Sequence, residues 1–164
     1  MAIVVAPENL HVINALPDVL RNEFQQRFDA LMQLTSVDQW ASPAQQLQLI
    51  DVIIASPFSA HVFLLNPHLL DHSFLVAALS KNQLQALLSE TMAKVTNEKQ
   101  LHQCLRRFRK AHQVRLIWRN RCGLGTSQEL VEELSNLADA CVGEALKWLH
   151  KDSENQWGQP IDGD

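Results

Sequence analysis

Seven of the 14 basic residues lie within one helix-length run that contains no acidic residue, namely Arg106, Arg107, Arg109, Lys110, Arg115, Arg119 and Arg121. Apolar residues such as Phe108, Val114 and Trp118 stand between them, at spacings that predict a buried helix with cationic flanks. Guanidinium groups bind carboxylates and phosphates, so we expect an anionic group to lie against this helix. The candidate anion-facing residues are Arg106, Arg107, Arg109, Arg115 and Arg119.

A weaker pattern contains residue types that bind zinc. His68 and His72 are four residues apart with Asp71 between them, and on a helix this spacing places two imidazoles on one face, similar to H-x-x-E-H sites. The alternative is an ordinary helix start after Pro67, in which these residues are simply polar. No third ligand is evident, and we predict no metal site.

The remaining candidates do not make an active site. Asp162 and Asp164 have the Asp-x-Asp spacing that holds Mg²⁺, but they stand in a polar tail, which favours solvated carboxylates. The thiol of Cys104 stands beside Arg106 and Arg107, yet its apolar spacing favours burial. The sequence contains no Gly-rich phosphate loop and no G-x-S-x-G elbow, so we assign no catalytic or cofactor-binding residue.

Composition indicates one soluble globular domain. The 164 residues are 46% hydrophobic and 20% charged, and the net charge of −4 disfavours binding of nucleic acid over the whole surface. The three cysteines form no C-x-x-C pair and indicate reduced thiols. We find no signal peptide and no uninterrupted membrane-length apolar segment, so we expect a cytoplasmic protein without membrane contact.

The elements that must position these residues are helices. Strand-like alternation is nearly absent, and helix-start signals recur at Pro17, Ser42-Pro43, Ser56-Pro57, Ser80, Asn97 and Thr126. We predict an all-α bundle of about six helices over residues 1–157, ending in a long antiparallel helical hairpin that turns at Gly123-Leu-Gly125. Residues 158–164 are predicted to be a polar tail.

Apolar stripes define the buried faces of two of these helices. The first stripe is predicted at Leu20, Phe24, Phe28, Leu31 and Leu34, and the last at Leu130, Leu134, Leu137, Cys141, Ala145 and Trp148. The last helix also carries acidic residues, at Glu129, Glu132, Glu133, Asp139 and Glu144. Pairing of these acids with the basic helix across the hairpin is the alternative to an external anion.

Several motifs resemble the N-terminal helical region of the bifunctional glutamine synthetase adenylyltransferase/adenylyl-removing enzyme family. Residues 105–120, LRRFRKAHQVRLIWRN, are similar to the family run LRxFRxRxMxRIxWRDL, with Gln113 near the usual methionine and Asn120 for the aspartate. Residues 134–141, LSNLADAC, resemble LSxLADAxI, and residues 157–160 resemble WGxP. Residues 56–58 and 66–70 resemble earlier family turns, so the resemblance covers roughly residues 45 to 160.

The resemblance implies a role in nitrogen metabolism. Enzymes of the family remove AMP from a tyrosine of glutamine synthetase by phosphorolysis, and a second domain adds AMP from ATP under control of a PII protein. The metal-binding G-x-G-E-L-N and S-S-D-I-D motifs of the nucleotidyltransferase sheet are not in this sequence. The resemblance therefore implies a truncated, non-catalytic segment of the adenylyl-removing half, with residues 158–164 leading toward the absent sheet.

The same resemblance sets expectations for cofactors and partners. Mg²⁺ and ATP are implied only for the complete enzyme, glutamine synthetase and PII protein are the implied partners, and a homo-oligomer is an open alternative. Arg115 and Arg119 are hypothesised to face anionic substrate. The rival interpretation is a free-standing binding module whose basic helix docks on nucleic acid or an acidic protein, and it requires Phe108 and Trp118 to be exposed.

Overall fold

The computed structural model describes residues 9–34 and 42–159, and within these ranges it contains helices and no strand. The described residues form eight α-helices: α1 (Leu10–Asn14), α2 (Asp18–Leu34), α3 (Pro43–Ala55), α4 (Pro57–Leu65), α5 (His72–Val76), α6 (Lys81–Met92), α7 (Glu98–Arg121) and α8 (Ser127–Trp157). The all-α prediction is confirmed. The six predicted helices are α2, α3, α4, α6, α7 and α8, whereas α1 and α5 have five residues each, too few for an apolar period.

The helices begin at the capping residues from which their starts were predicted. Ser80 and Gln83 form a complete capping box at α6, and the Gln100 backbone N–H donates to Asn97 Oδ1 at 3.0 Å at the start of α7. Ser42 is the N-cap of α3 but makes no side-chain capping hydrogen bond, so there the first-turn proline marks the start.

The turn between α7 and α8 depends on one glycine. Gly123 has φ 65°, its N–H donates to the Asn120 carbonyl at 3.2 Å, and the Leu124 N–H donates to the Arg119 carbonyl at 2.8 Å. This pair of bonds is the Schellman motif, in which a left-handed residue satisfies the last carbonyls of a helix. The predicted glycine turn is therefore confirmed.

Contacts group the chain into two compact units. The first unit comprises the described residues from 9 to 77 together with Gln113–Ser127, and the second comprises Ala78–His112 with the described residues from 128 to 159. Helix α7 thus supplies its beginning to the second unit and its end to the first. Grouping by contact does not test independent folding, so the single domain over residues 1–157 stays a prediction.

The first unit is built on α2, α3, α4 and the end of α7. Its core contains Phe24, Phe28 and Leu31 from the predicted stripe of α2, whereas Leu20 and Leu34 at the ends of that stripe are exposed. The core also contains the buried apolar residues Leu49, Ile50, Val52 and Ile53 of α3, Ala60, Val62 and Phe63 of α4, and Val114 and Trp118 of α7. The Trp118 ring packs edge-to-face on Phe63, with centroids 6.4 Å apart.

In the second unit, the beginning of α7 runs antiparallel to α8, as in the predicted hairpin. Trp148 Nε1, late in α8, donates to the carbonyl of Val95, which precedes α7, and Cys141 in the middle of α8 lies near Cys104 of α7. The buried apolar residues are Leu84, Leu88, Met92, Leu101, Phe108, Leu130, Leu137 and Ala140. Leu134, predicted to be inward, is exposed.

Within the described ranges, no single helix has the length and hydropathy needed to cross a membrane. Helices α3 and α4 meet the criteria only when joined, and a bend of 114° separates them.

Candidate functional site

Three of the five candidate arginines lie on the surface of the second unit. Arg106, Arg107 and Arg109 are exposed on α7. Among the described residues, none of the three makes an ion pair with an acidic side chain. Their guanidinium groups are available to an anion, so the anion-facing role stays a prediction for these three residues.

Two of these arginines border a shallow cleft between α7 and α8. The cleft has a volume of about 370 Å³ and is lined by His102, Leu105, Arg106, Arg109, Cys141, Val142 and Ala145. Its α7 side is cationic and its α8 side is apolar. A partner with an apolar face and an acidic edge matches this lining.

The thiols near this cleft are not activated as nucleophiles. Burial raises the pKa of Cys141 above its ordinary value, and the opposing effect of Arg109 is smaller. Burial likewise raises the pKa of Cys104, against a smaller lowering by Arg107. A thiol in this environment stays protonated at neutral pH. The interpretation of Cys104 as a packing residue agrees with this environment.

The other two candidate arginines are buried in the first unit. Arg115 is 0% exposed and donates a hydrogen bond from Nη1 to the Ala77 carbonyl, and Arg119 is 5% exposed and donates from Nη2 to the Leu124 carbonyl at 2.8 Å. The sequence placed both on a wet flank of the helix, whereas the structure places both in the interior. Each guanidinium holds a chain segment that leaves a helix, which is a structural role.

Arg121 makes the contact that sequence reasoning missed. Its Nε and Nη2 donate to the two carboxylate oxygens of Asp51 on α3, at 2.9 and 2.6 Å. The hydrogen bond from Arg121 to Asp51 raises the pKa of the arginine. The two residues are 70 positions apart, so no local pattern in the sequence pairs them. This bidentate contact fixes the end of α7 to α3.

Three acidic residues of α8 make contacts outside the basic helix. Asp139 lies 3.3 Å from Lys81 Nζ of α6, Glu144 lies 2.7 Å from Lys147 Nζ on its own helix, and the Glu133 carboxylate accepts from the Leu79 N–H at 3.1 Å. Asp139 and Glu133 therefore contact α6 and the chain before it, whereas Glu144 pairs within α8. The last contact joins residues 54 positions apart and carries no sequence signal.

The histidine pattern after Pro67 is a helix start. A 3-10 turn spans Pro67–Leu69 and α5 begins at His72, so His68 and His72 do not share a helix. The Asp71 carboxylate accepts from the backbone N–H groups of Ser73 and Phe74, at 2.7 and 3.3 Å, and is the N-cap of α5. The hydrogen bond from the Ser73 hydroxyl is the main cause that lowers the pKa of Asp71. The structure thus agrees with the alternative in which these residues are ordinary and polar.

The described residues do not fit the Mg²⁺ that the resemblance implies for the complete enzyme. Within the described ranges no three histidine, cysteine or acidic side chains come together in a way that would hold a metal ion. Asp162 and Asp164 lie outside the described residues. No step of a reaction is therefore assigned to these side chains.

The fold and surface define a class: an all-helical protein segment with an exposed cationic helix surface and no carboxylate motif of a nucleotidyltransferase in its sequence. Comparison with known families matches residues 46–164 to glutamate-ammonia ligase adenylyltransferase. The chain belongs to the glutamate-ammonia ligase adenylyltransferase family.

Individual relatives agree with this membership. The chain is 29% identical over 160 residues to the bifunctional glutamine synthetase adenylyltransferase/adenylyl-removing enzyme of Hahella chejuensis. This match covers 94% of the chain and 16% of that enzyme. The enzymes of the same name from Psychromonas ingrahamii and Pseudomonas aeruginosa are 31% identical over 125 residues and 41% identical over 81 residues. Those two matches cover 74% and 49% of the chain, and 13% and 8% of the relatives. The chain therefore spans less than a fifth of each relative.

Proposed function

We propose that this chain is a helical, non-catalytic segment of the adenylyl-removing half of a glutamine synthetase adenylyltransferase, and that it acts in the regulation of glutamine synthetase. The observation that carries the proposal is the family match over residues 46–164. The assignment to the adenylyl-removing half rests on the resemblance of residues 105–120 and 157–160 to the motifs of that half.

The burial of α7 supports a structural role over the rival binding module. A helix that docks on nucleic acid needs exposed aromatic and basic side chains. Trp118 is 0% exposed and Phe108 is 8% exposed, and Arg115 and Arg119 are also buried. Of the five candidate arginines, Arg115 and Arg119 therefore pack in the interior, and Arg106, Arg107 and Arg109 present their charges to solvent.

Within this proposal the chemistry belongs to parts of the family enzyme outside the match. Mg²⁺ and ATP would bind there, glutamine synthetase and a PII protein would be the partners of the complete enzyme, and the cytoplasm would be its compartment. The contribution of this chain is a helical scaffold whose charged surface lies on α7.

The non-catalytic part of the proposal is tested with the chain alone. The purified chain is incubated with adenylylated glutamine synthetase, phosphate and Mg²⁺, and release of nucleotide is measured. The Pseudomonas aeruginosa enzyme under identical conditions is the positive control. We expect no release above the rate without protein, and turnover by the chain alone would refute this part.

The assignment to one half is tested in the Pseudomonas aeruginosa relative. A variant of that enzyme lacking the segment matched by this chain is assayed separately for addition and removal of AMP. We expect removal to be lost and addition to be retained. Loss of addition with removal intact would contradict the assignment, and a circular dichroism spectrum of the variant shows whether the remainder is folded.

The rival is tested by salt dependence. Binding of labelled single-stranded and double-stranded nucleic acid is measured at 50 and 200 mM salt. Contacts of three arginines with phosphates would lose roughly 40-fold in affinity for double strands and roughly 20-fold for single strands over this range. We expect no saturable binding at either salt concentration, and steep salt-dependent binding would favour the rival.

A further inference from the structure

The cleft between α7 and α8 has two chemically different walls. Its α7 wall carries His102, Arg106 and Arg109, which are spaced by four and three residues and so lie on one side of the helix. Its α8 wall is apolar at Val142 and Ala145, and Val142 is 60% exposed. Both walls belong to the second unit. A ligand in this cleft therefore meets apolar surface on one side and positive charge on the other.

The apolar wall continues along α8 beyond the cleft. Leu134, Ala138 and Leu149 are exposed, and their spacings of three and four from Val142 and Ala145 place all five on the same side of the helix. From Leu134 to Leu149 this side runs for about 22 Å, or four helical turns. A single phosphate or small carboxylate is much shorter than this wall. The length suits a helix of a protein partner.

The arginines of the cleft are not neutralised by acidic side chains of the described residues. Neither Arg106 nor Arg109 makes an ion pair with an acid in the part of the chain that the structure describes. The acid of α7 is Glu98, which lies 3.4 Å from a histidine nitrogen of its own helix. Asp139 and Glu144 of α8 contact lysines instead. The positive charge of the cleft is thus available to an acidic ligand.

We propose that the cleft between α7 and α8 is a docking site for an acidic amphipathic helix of a partner protein. The apolar side chains of that helix, repeating at spacings of three and four, pack on the α8 wall around Val142. Acidic side chains on its flank pair with Arg106 and Arg109. This is helix-in-groove recognition, in which apolar contacts supply affinity and flanking charges fix the orientation.

The charge of the cleft selects this class of partner. The arginines repel a basic helix, and a nucleic acid that contacted them through phosphates would leave the apolar α8 wall uncovered. Docking in the cleft does not need Phe108 or Trp118, which are buried, so it differs from the rival binding module. It also does not rest on the proposed function, because it depends only on the surface of the second unit.

The experiment is fluorescence anisotropy of labelled peptides titrated with the full chain. The probe has about 18 residues, enough to span the α8 wall as a helix, with leucines on one face and glutamates on both flanks. We expect saturable binding with a Kd below about 100 μM. A peptide of the same composition, permuted so that leucines and glutamates do not segregate, should bind at least about 10-fold more weakly. Binding of neither peptide, or equal binding of both, overturns the proposal.

Charge reversal tests the role of the α7 wall. Arg106→Glu with Arg109→Glu is expected to weaken binding of the glutamate peptide at least about 10-fold. Arg107→Glu with Lys151→Glu is the matched control, since both residues are exposed and neither lines the cleft, and it should change binding less than about 2-fold. A peptide with lysine in place of glutamate should prefer the first variant to the wild type. Equal effects of the two double changes indicate non-specific attraction and refute the docking site.

The apolar wall and the position of the peptide are tested separately. Val142→Ser should weaken binding about 5-fold, whereas Val19→Ser, on α2 and 71% exposed in the wild type, should leave it unchanged. In ¹H–¹⁵N NMR spectra the peptide should shift the amides of residues 102–109 and 138–149, and shifts confined to other residues contradict the proposal. Displacement by about 10 mM inorganic phosphate at constant ionic strength would mean a small-anion site and would also overturn it. Circular dichroism of each variant confirms that it is folded.

Discussion

Replacement of Arg115 by methionine separates a structural from an anion-binding role for the α7 arginines. Arg115 is 0% exposed and donates to the Ala77 carbonyl, whereas Arg107 on the same helix is exposed. Methionine keeps most of the apolar stem and has a similar helix propensity, so the substitution removes the guanidinium group with little change to the helix itself. Arg107→Met is the control substitution. The two substitutions differ chiefly in what the lost guanidinium contacts.

The expected magnitude follows from that contact. A hydrogen bond from a charged donor contributes about 1.5–3 kcal/mol, and a buried carbonyl left without its donor costs about 1–3 kcal/mol. These two figures overlap, since both describe the same lost bond. We expect Arg115→Met to lower the free energy of unfolding by about 3 kcal/mol, which for a chain of this size lowers the melting temperature by about 6–12 °C. Arg107→Met should change it by less than about 0.5 kcal/mol.

The assay is equilibrium unfolding in urea, followed by tryptophan fluorescence. The chain has four tryptophans. One of them, Trp118, is buried beside Phe63 in the first unit, three positions from Arg115, so its share of the emission reports on the region that the substitution affects. Circular dichroism at 222 nm is recorded on the same samples. Agreement of the two signals tests whether unfolding is a single transition.

The reasoning fails if Arg115→Met unfolds at the same urea concentration as the wild type. That result would mean that the guanidinium does not hold the Ala77 carbonyl in solution. Arg115 would then be available on the surface, as the sequence pattern alone predicted. It would again be a candidate anion-facing residue.

Four further predictions concern the glycine turn, a glycine inside α8, one helix cap and the thiols. Gly123→Ala should destabilise the protein by about 1 kcal/mol, because φ is 65° there and alanine is strained in this conformation. The added Cβ meets nothing within 4 Å, so no clash adds to this strain. Gly143→Ala, in the interior of α8 and equally free of clashes, should stabilise the protein by about 0.5–1 kcal/mol in the same urea assay. The pKa of Asp71 lies below its ordinary 3.8, so its stabilisation of α5 is present above that pH and is lost as the pH falls through the lowered pKa. NMR titration of the α5 amides should show this loss, and Asp71→Asn should abolish it. Because burial raises the pKa of Cys104 and Cys141, both should react with iodoacetamide more slowly at pH 8 than they do in urea-unfolded protein, and equal rates would contradict their burial.

Helix boundaries were readable from the sequence because capping is local. The bonds at Ser80 and Gln83, at Asn97 and Gln100, and at Gly123 connect residues within a few positions of each other. The same range of interaction explains the ambiguity at Asp71. The spacing of Asp71 from His68 and His72 fits both a zinc site and the N-cap of a helix. In the structure a 3-10 turn at Pro67–Leu69 separates His68 from α5, and Asp71 is the N-cap of α5.

The division of the arginines was decided only by the tertiary structure. The sequence determined that α7 is a helix with cationic flanks, that a glycine turn ends it, and that its motifs belong to the adenylyltransferase family. Which flank is buried depends on neighbours far along the chain: Ala77 is 38 positions from Arg115, and Asp51 is 70 positions from Arg121. Moreover, α7 begins in the second unit and ends in the first, so its neighbours change along its length. A single helical period cannot encode two sets of neighbours, and for this reason Arg106 and Arg109 reach solvent while Arg115 and Arg119 do not.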